Sequence, residues 1–447
     1  MSKSSREPAA RSRAAGPLTG TARAPGDKSI SHRSMIFGAM ASGTTTVTGL
    51  LEGDDIMATA GAMRAFGADI TRGEDGLWTV HGVGEKGLQA PTGPIDCGNA
   101  GTGVRLIMGA ASAYPITATY IGDASLSVRP MGRVVNPLRE MGVKADGAPG
   151  DRLPMTVIGT PDLKPLRYAP PQASAQVKSA ILLAGLGAHG VTEVREAHKT
   201  RDHTENMLRA FGCPVDTLDD GDGQIVRLTG PAALTGTHVI VPGDPSSAAF
   251  LMVAALIVPG SDIVIENVMM NPTRTGLFET LTEMGGSIQA DNFKTSGGEV
   301  IADIRVRHSK LRGITVPPRR APSMIDEYPI LCMAAAVASG ETVMEGIEEL
   351  RVKESDRIAA TVAILNSAGV DVRETETGMI VTGSASPQGG GYVTTHHDHR
   401  IAMSALILGL VTQQPMEIDD AAMIATSFPT FFEMMTALGA DITETAA

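Results

Sequence analysis

Two segments of this 447-residue chain carry carboxylates that could transfer protons. In the first, "SMIDEYPILCMAAAVASG", Asp326 and Glu327 lead directly into an apolar run. A carboxylate is therefore expected to enter a buried region, where burial raises the pKa of a carboxyl group unless it is paired. Such a group can act as an acid or a base. An ordinary Asp N-cap explains the same pattern, and both interpretations stay open.

The second segment, "EELRVKESDRIAATVAIL", is rich in charge before an Ala-rich run. If a helix begins at about Lys353, Lys353 and Arg357 lie at i and i+4 and repel each other. Both would also lie near the helix N-terminus, where the macrodipole disfavours cations. A bound anion would relieve both conflicts, because a helix N-terminus is a natural anion site. Alternatively, Glu354 and Asp356 neutralise the cations of a solvated surface helix.

The segment "APGDKSISHRSMIFGAMASG" predicts a phosphate site. A Pro-Gly-Asp turn precedes Lys28 and Ser29, and Arg33 lies on the first turns of the Ala/Met-rich helix that follows. Lys, Ser and free N–H groups at one helix start can hold a phosphate. The spacing does not match a Walker A loop. An N-capped helix with an exposed lysine is the alternative.

Three further segments are weaker signals. The glycines of "DCGNAGTGVRL" would let a ligand approach the backbone closely, but a simple loop without a ligand explains them equally well. In "QASAQVKSAILLAGL", Ser174 and Gln176 precede an apolar helix. The histidines of "TTHHDHRIAMSALILGL" suggest a metal, but adjacent residues of an extended chain point to opposite sides. Arg400, which opens the apolar helix there, fits an anion site better, and we expect no metal.

Composition excludes several classes of partner. A net charge of −12 and 3% aromatic residues argue against a nucleic-acid surface. The longest apolar runs fall far short of the ~20 residues that span a bilayer. Three widely separated cysteines (Cys97, Cys213 and Cys332) form no disulfide or metal pattern, so a cytoplasmic location is expected. Residues 1–16 are expected to be a disordered arm, with a short transit peptide as the alternative.

Internal repetition organises the chain. Six helical patterns end in a glycine that precedes a strand pattern, and glycine after the last turn is the usual C-cap signal. These glycines are Gly67, Gly142, Gly212, Gly285, Gly369 and Gly439. Most copies share an upstream helix, a β-branched run and a loop. The sequence therefore predicts an α/β protein with six units of the form β-α-β-α-β-β.

The six units fall into two halves. "PGDKS" at Pro25 recurs as "PGDPS" at Pro242, three units later. We therefore expect a first domain over residues 27–241 and a second over residues 17–26 and 242–447. Hinges are expected near residues 24–28 and 240–245.

Arginines recur at the expected start of the second helix in four units: Arg129, Arg201, Arg274 and Arg357. The first unit has Asp54 and Asp55 there, and the sixth unit has Thr426. If the helices of the units run parallel, several helix N-termini and arginines converge, and each terminus adds about half a positive charge. This favours an anion site, although arginine could simply be common at these positions.

Eight motifs in order identify a family. "PGDKSISHR", "GNAGT", "RPMGR", "SAQVKSA", "TRDHTE", "SMIDEYP", "RVKESDR" and "DHRIAMS" resemble the enolpyruvyl transferase family. Within it they are most similar to the class II-like 5-enolpyruvylshikimate-3-phosphate synthases, a variety that includes glyphosate-insensitive bacterial enzymes. The resemblance implies two similar domains, each of three units with parallel helices inside and sheets outside, an inside-out α/β barrel. The domains of that family close over their substrates.

The resemblance also implies a reaction, in which phosphoenolpyruvate and shikimate 3-phosphate join and phosphate leaves, without a metal or organic cofactor. Asp326 would take the proton of the 5-hydroxyl, Glu354 would protonate the vinyl carbon, and Lys28 would assist. Shikimate 3-phosphate would contact Lys28, Ser29, Arg33, Ser174, Ala175, Gln176, Arg201, Asp326 and Lys353. Phosphoenolpyruvate would contact Lys28, Gly101, Arg129, Gln176, Arg357 and Arg400. A cytoplasmic monomer is expected.

The chain departs from the family pattern at two places. Thr426 stands where some members carry a lysine, which puts contact with the departing phosphate from that side in doubt. Gly101 stands where insensitive members of this variety carry alanine, so inhibition by glyphosate is expected.

Three alternatives compete with this interpretation. The sister enzyme that acts on a UDP-linked amino sugar uses a loop cysteine, and no such cysteine is evident here. A non-catalytic anion-binding scaffold would not need Asp326 and Glu354 beside its ligand. A phosphotransferase is disfavoured by the missing Walker motif.

Overall fold

The computed structural model describes residues 9–296 and 299–445. The chain divides into two compact units. We call Gly26–Val241 the N-terminal unit, and residues 9–25, 242–295 and 299–445 the C-terminal unit. The divisions lie between Pro25 and Gly26 and between Val241 and Pro242. Motion at these points stays a prediction.

The described residues form helices and strands in alternation. The α-helices are α1 (Lys28–Met40), α2 (Asp54–Ala65), α3 (Gly101–Ala111), α4 (Ala124–Ser127), α5 (Gly132–Glu140), α6 (Ala175–Gly185), α7 (His203–Ala210), α8 (Pro245–Ile257), α9 (Gly276–Glu283), α10 (Tyr328–Ala335), α11 (Arg357–Ser367), α12 (His399–Gly409) and α13 (Phe431–Ala437). Short 3-10 helices span Gly84–Lys86, Pro318–Ser323, Ile325–Glu327, Glu348–Val352 and Ala422–Thr426.

The strands are β1 (Ala10–Arg13), β2 (Thr19–Arg23), β3 (Thr44–Thr48), β4 (Asp69–Arg72), β5 (Trp78–His81), β6 (Ile95–Asp96), β7 (Thr117–Ile121), β8 (Lys144–Ala148), β9 (Arg152–Ile158), β10 (Arg167–Tyr168), β11 (Gly190–Glu196), β12 (Val215–Asp220), β13 (Gly223–Gly230), β14 (His238–Ile240), β15 (Asp262–Met269), β16 (Ser287–Ser296), β17 (Glu299–Arg307), β18 (Thr315–Val316), β19 (Glu341–Met344), β20 (Asp371–Glu374), β21 (Met379–Thr382), β22 (Tyr392–Val393), β23 (Met416–Ile418) and β24 (Asp441–Glu444).

Six four-stranded sheets carry the repeat that the sequence predicted. Their strand orders are β14-β3-β5-β4, β6-β7-β9-β8 and β10-β11-β13-β12 in the N-terminal unit, and β2-β15-β17-β16, β18-β19-β21-β20 and β22-β23-β1-β24 in the C-terminal unit. The second sheet shows the pattern: β6 pairs with β7 in parallel, and β9 pairs antiparallel with both β7 and β8. Burial alternates along β9, so one face packs inward and the other faces solvent.

The first helix of each repeat lies inside its unit. Helices α1, α3 and α6 contact one another, as do α8, α10 and α12. Most residues of these helices are buried, and all residues of α8 are, as expected for internal helices. The predicted arrangement, helices inside and sheets outside in an α/β protein, is confirmed.

The repeated Pro-Gly-Asp motif begins the equivalent inner helix in each unit. Asp27 accepts a hydrogen bond from the backbone N–H of Ile30 at the start of α1, at 2.8 Å. Asp244 accepts one from Ser246 at the start of α8, also at 2.8 Å. Both aspartates are buried N-caps, so the repeat in sequence is a repeat in local structure.

The six predicted C-cap glycines adopt the left-handed conformation. Gly67, Gly142, Gly212, Gly285, Gly369 and Gly439 all have φ between +71° and +110°. Each follows the end of a second helix by two residues. Side chains other than hydrogen are strained there, which explains why glycine recurs at these positions.

The N-terminal arm is the main correction to the predicted fold. We expected disorder over residues 1–16, but β1 lies between β23 and β24 and pairs antiparallel with both. Ala10 and Ser12 are fully buried. In the sheet of the sixth repeat, β1 fills the position that β21 fills in the fifth sheet. Residues 1–8 lie outside the described residues.

The long apolar runs of the sequence are internal helices. They form α8, of 13 residues, and α10, of 8 residues. Throughout the described ranges, no helix combines the length and apolarity that crossing a membrane requires.

Candidate functional site

The start of α1 places Lys28 beside its N-cap. The Lys28 ammonium lies 2.5 Å from the carboxylate of Asp55 on α2, and Asp55 is buried. The Lys28 side chain is 21% exposed to solvent. An acidic residue in the first turn of α2 therefore holds the Lys28 side chain.

Arg33 joins three helices of the N-terminal unit. Its Nε donates to Thr204 Oγ1 at 2.8 Å, and its Nη2 donates to Ser179 Oγ at 2.8 Å. Its Nη1 donates to the backbone carbonyl of Ser29 at 3.0 Å. The side chain is buried, so these hydroxyl and carbonyl oxygens fix a guanidinium in place.

The start of α6 carries the predicted Ser174, Ala175 and Gln176. Ser174 is the N-cap. The Gln176 amide donates to Thr102 Oγ1 at 2.9 Å and accepts from Arg105 Nη1 at 2.7 Å. The sequence did not suggest Arg105, which is buried on α3. These bonds fix the orientation of the Gln176 side chain.

Gly101 begins α3 beside the Arg129 guanidinium. Arg129 is buried and donates to Asn99 Oδ1 at 2.7 Å and to Ser125 Oγ at 3.3 Å. A Cβ at position 101 would lie 2.8 Å from Arg129 Nη1. Glycine therefore permits the close approach of the Arg129 guanidinium, and a larger residue here would have to displace it.

Contacts connect the predicted residues of the N-terminal unit into one region. Helices α1, α6 and α7 meet at Arg33, and α6 and α3 meet at Gln176. Arg201 is half-buried in the loop before α7, three residues from Thr204. The starts of α1, α3, α6 and α7 are thus joined by side-chain contacts within this unit, and their convergence on an anion stays a prediction.

Arg357 is the centre of the site in the C-terminal unit. Its Nε donates to Asp398 at 2.8 Å, its Nη2 to Glu354 at 2.6 Å and its Nη1 to Asp326 at 3.2 Å. The Arg357 side chain is only 1% exposed, and that of Asp398 is fully buried. One guanidinium thus holds both predicted proton-transfer carboxylates.

The pKa values of this cluster follow from its charges. Burial alone would lower the pKa of Arg357, but Asp398, Glu354 and Asp326 raise it above the usual value. Burial alone would raise the pKa of Asp398, but the Arg357 charge lowers it below the usual value. Both groups of the buried pair are therefore ionised near neutral pH.

Helix α11 begins later than the sequence predicted. We expected a start at about Lys353, but the first helical residue is Arg357. Asp356 is the N-cap and accepts hydrogen bonds from the backbone N–H groups of Ile358 and Ala359. Lys353 lies before the helix, so the expected i, i+4 repulsion with Arg357 does not arise.

Arg400 and Lys353 extend the cluster. Arg400 Nη1 donates to the backbone carbonyl of Asp326 at 3.0 Å and to Glu327 Oε1 at 3.2 Å. Lys353 Nζ lies 2.9 Å from Glu349 and 3.8 Å from Asp326. Helix α10 begins only at Tyr328 and has no side-chain capping bond, so the N-cap alternative for Asp326 is wrong.

Comparison with known proteins decides the family. A family profile described as EPSP synthase (3-phosphoshikimate 1-carboxyvinyltransferase) matches residues 12–435. The chain belongs to the EPSP synthase family. It is 58% identical to a 3-phosphoshikimate 1-carboxyvinyltransferase of Parvibaculum lavamentivorans, over 95% of each chain. It is also 58% identical to one of Rhizobium johnstonii, over 99% of each chain.

A solved structure gives the same result. The EPSP synthase of Acinetobacter baumannii is 47% identical, with a TM-score of 0.85 over 97% of this chain and 99% of that chain. The predicted EPSP synthase family, fold class and carboxyvinyltransferase activity are confirmed. The assignment of single residues to substrates stays a prediction.

Sequence reasoning missed one central residue of this EPSP synthase family member. Asp398 was considered only within a histidine-rich segment, which was assumed to be extended. His396 and His397 instead have φ of 53° and 56°, so the chain turns there. Asp398 caps α12 and binds Arg357. Its position directly before an apolar helix was the available signal.

At two positions of the repeated second-helix start, Arg274 and Thr426, the structure shows contacts that do not belong to the Arg33 or Arg357 regions. Arg274 is buried and donates to Asp244 and Ser246 at the start of α8, at 2.8 and 2.9 Å. Thr426 ends a 3-10 helix and donates to the backbone carbonyl of Met423 at 2.7 Å. Arg274 therefore supports an inner helix, and Thr426 supplies a hydroxyl in place of an ammonium.

Proposed function

We propose that this chain transfers the enolpyruvyl group of phosphoenolpyruvate to the 5-hydroxyl of shikimate 3-phosphate and releases phosphate. The observation that carries the proposal is the Arg357 cluster. There Asp326 and Glu354 contact one buried guanidinium at 3.2 and 2.6 Å, in a member of the EPSP synthase family. The reaction needs one group that accepts a proton and one that donates a proton.

The charges of the site match those of the substrates. Each substrate carries a carboxylate and a phosphate. The two substrates together therefore bring a charge of about −5 to −6. Seven cationic side chains are available: Lys28, Arg33, Arg129, Arg201, Lys353, Arg357 and Arg400. Each charge-assisted contact contributes ~1.5–3 kcal/mol. The cation set is therefore sufficient to hold both anions.

The assignment of residues to substrates follows the family motifs. Shikimate 3-phosphate binds to Lys28, Ser29, Arg33, Ser174, Ala175, Gln176, Arg201, Asp326 and Lys353. Phosphoenolpyruvate binds to Lys28, Gly101, Arg129, Gln176, Arg357 and Arg400. The hydrogen bonds that fix Arg33, Gln176 and Arg129 support this assignment, because fixed donors lose little freedom on binding.

The proton transfers use two carboxyl groups. The Asp326 carboxylate takes the proton of the 5-hydroxyl as its oxygen attacks C2 of phosphoenolpyruvate. The protonated Glu354 carboxyl gives its proton to the vinyl carbon C3, which forms a tetrahedral ketal phosphate. Glu354, now a carboxylate, then removes a proton from the new methyl group, the C2–C3 double bond re-forms, and the C2–O bond to phosphate breaks. The departing phosphate takes the proton that Asp326 accepted, which returns Asp326 to its carboxylate form. The anionic surroundings of Arg357 stabilise the cationic character that develops at C2.

The ion pair between Glu354 and Arg357 bears on the proton transfer to the vinyl carbon. Glu354 binds Arg357 at 2.6 Å. A phosphoenolpyruvate anion on Arg357 competes with Glu354 for the same guanidinium. Binding would thus release the Glu354 carboxylate from its cation and favour the proton uptake that the addition step requires.

The sister enzyme for a UDP-linked amino sugar is disfavoured by the state of the cysteines. Cys97, Cys213 and Cys332 are all buried. Burial raises the pKa of the Cys97 thiol to about 12. Cys332 contacts Met344 and Met379 in the core. These thiols are poorly placed to donate a proton to a substrate.

Three further properties belong to the proposal: the enzyme is a monomer, it acts in the cytoplasm without a metal or organic cofactor, and glyphosate inhibits it. The resemblance to the family and the glycine at position 101 support them. Light scattering of the purified protein tests the oligomeric state.

The experiment that tests the function measures phosphate release by the purified protein. With phosphoenolpyruvate and shikimate 3-phosphate we expect release that depends on both. Replacing shikimate 3-phosphate with the UDP-linked amino sugar should abolish it. Release with the UDP-sugar alone as acceptor would contradict the proposal.

A further inference from the structure

Lys178 is a buried cation that the proposed chemistry does not use. It lies on α6, one turn after the Ser174 N-cap, and its side chain is fully buried. Its Nζ lies 2.9 Å from Glu196 and 2.7 Å from Glu205. Both carboxylates are buried as well. A buried ammonium is tolerated only with close partners, so this cluster needs an explanation.

The two carboxylates stand at the two ends of one loop. Glu196 is the last residue of β11, and Glu205 lies in the first turn of α7. The segment between these elements, residues 197–202, contains Arg201. Lys178 therefore joins both ends of the Arg201 loop to α6.

Glu196 also anchors the inside of the loop. Its Oε1 accepts a hydrogen bond from Thr200 Oγ1, and Thr200 directly precedes Arg201. Its Oε2 accepts from Gln224 Nε2 at 2.7 Å on the neighbouring strand β13. The side chain of Thr200, next to Arg201, is thus bound to Glu196, which in turn pairs with Lys178.

Ser179, the next residue of α6, makes the corresponding connection for Arg33. Its hydroxyl accepts from Arg33 Nη2 and lies 2.7 Å from Thr204 Oγ1 on α7. Consecutive residues of α6 therefore fix two arginines of the site, one directly and one through its loop.

The charge state of Lys178 agrees with this arrangement. Burial alone would lower the pKa of Lys178, but Glu205 and Glu196 raise it. One ammonium faces two carboxylates, so neutralising a single carboxylate leaves a balanced ion pair. That property gives a variant that can be tested without leaving an unpaired buried charge.

We propose that Lys178 is a positioning residue, which holds the Arg201 loop so that Arg201 can bind shikimate 3-phosphate. The inference rests on the proposed function, in which Arg201 contacts that substrate. A loop that is already ordered does not lose this freedom when the substrate binds.

Glu205→Gln tests the proposal, because it removes one anchor and keeps the Lys178–Glu196 pair. We expect the Kd for shikimate 3-phosphate to rise about 3–10-fold, as expected for one or two side chains that must be ordered on binding. The KM for phosphoenolpyruvate and kcat at saturation should change less than about twofold. Lys199→Met is the matched control, since Lys199 lies in the same loop but pairs with Asp219 at the surface. It should leave the Kd unchanged.

A double-mutant cycle separates positioning from general stability. In an Arg201→Ala background, Glu205→Gln should cause no further loss of shikimate 3-phosphate affinity. Independent, multiplying losses would overturn the proposal, as would an unchanged Kd in Glu205→Gln or in Arg201→Ala. If Glu205→Gln does not fold, Glu205→Asp keeps the charge and tests the same contact with a smaller shift. Absence of phosphate release by the wild type would instead refute the proposed function.

Discussion

In the N-terminal unit Arg33 and Arg129 donate to hydroxyl and amide oxygens, whereas in the C-terminal unit Arg357 and Arg400 donate to carboxylates. Hydroxyl and amide oxygens orient a guanidinium and do not themselves cancel its positive charge. Carboxylates cancel that charge until a ligand competes with them. In the proposed function both units supply cations that bind substrate, and the C-terminal unit adds the two proton-transfer carboxyl groups.

Lys28 departs from this division, since it pairs with Asp55 at 2.5 Å. It is also the cation that the family motifs assign to both substrates. A carboxylate partner beside a residue with two ligands suggests that Lys28, like Arg357, changes partner during the reaction.

The comparison is tested most severely by removing the central cation of the C-terminal unit. Arg357→Met leaves the buried Asp398 without this partner, so we expect a loss of about 3–5 kcal/mol in the free energy of unfolding. Arg351→Met is the control, because Arg351 pairs with Glu374 near the surface and should cost about 1 kcal/mol or less. Urea unfolding of both variants measures the difference. Equal losses would contradict the assigned role of the buried pair.

The Asp398–Arg357 pair also predicts a pH dependence. The pKa of Asp398 is lowered in the folded protein, so its contribution to stability is complete above the unfolded value of about 3.9. It is lost as the pH falls through the folded pKa, which lies lower. The difference in unfolding free energy between wild type and Asp398→Asn should therefore shrink below about pH 4. If this difference in unfolding free energy instead grew as the pH fell, the pKa of Asp398 would be raised in the folded protein and the prediction would be wrong.

In the N-terminal unit, Arg33→Met should weaken the binding of shikimate 3-phosphate more than the binding of phosphoenolpyruvate. Loss of one charge-assisted contact costs ~1.5–3 kcal/mol, or about 10–150-fold in Kd. Arg33→Lys should recover little, because an ammonium cannot reach Thr204 and Ser179 as a guanidinium does. Calorimetric titration measures both. A wild-type Kd in Arg33→Met would place this substrate elsewhere.

The smallest expected effect is at Gly101. A methyl group there meets Arg129 Nη1 at 2.8 Å and must displace it, so Gly101→Ala should raise the KM for phosphoenolpyruvate severalfold. It should raise the inhibition constant of glyphosate by a larger factor than this KM, because the added methyl group crowds the inhibitor. Gly61→Ala is the control, because a Cβ on this exposed helical glycine meets nothing within 4 Å. An unchanged inhibition constant in Gly101→Ala would contradict the prediction.

Local signals account for what the sequence predicted well. The C-cap glycines follow from one backbone requirement, and all six adopt positive φ. The start of α1 follows from its Asp27 cap, which directly precedes the first helical residue. The late start of α11 also had a local signal, because Asp356 is a good N-cap, but the charged run before it was taken as helix.

Contacts between distant residues could not be predicted in the same way. Strand β1 pairs with residues more than 400 positions away, and its four residues lack a clear strand pattern. The bond between Arg357 and Asp398 joins the starts of two helices 41 residues apart. Arg105 and Lys178 lie within helices that the sequence shows only as apolar. Their roles depend on which helices pack together.

The central claim is that the C-terminal carboxylates transfer protons while the N-terminal cations bind. Turnover and shikimate 3-phosphate affinity measured on the same preparations of Asp326→Asn and Glu354→Gln test it most directly. We predict a fall of about 10²–10⁴-fold in kcat, with a Kd within about threefold of wild type. Wild-type turnover in either variant would contradict the account.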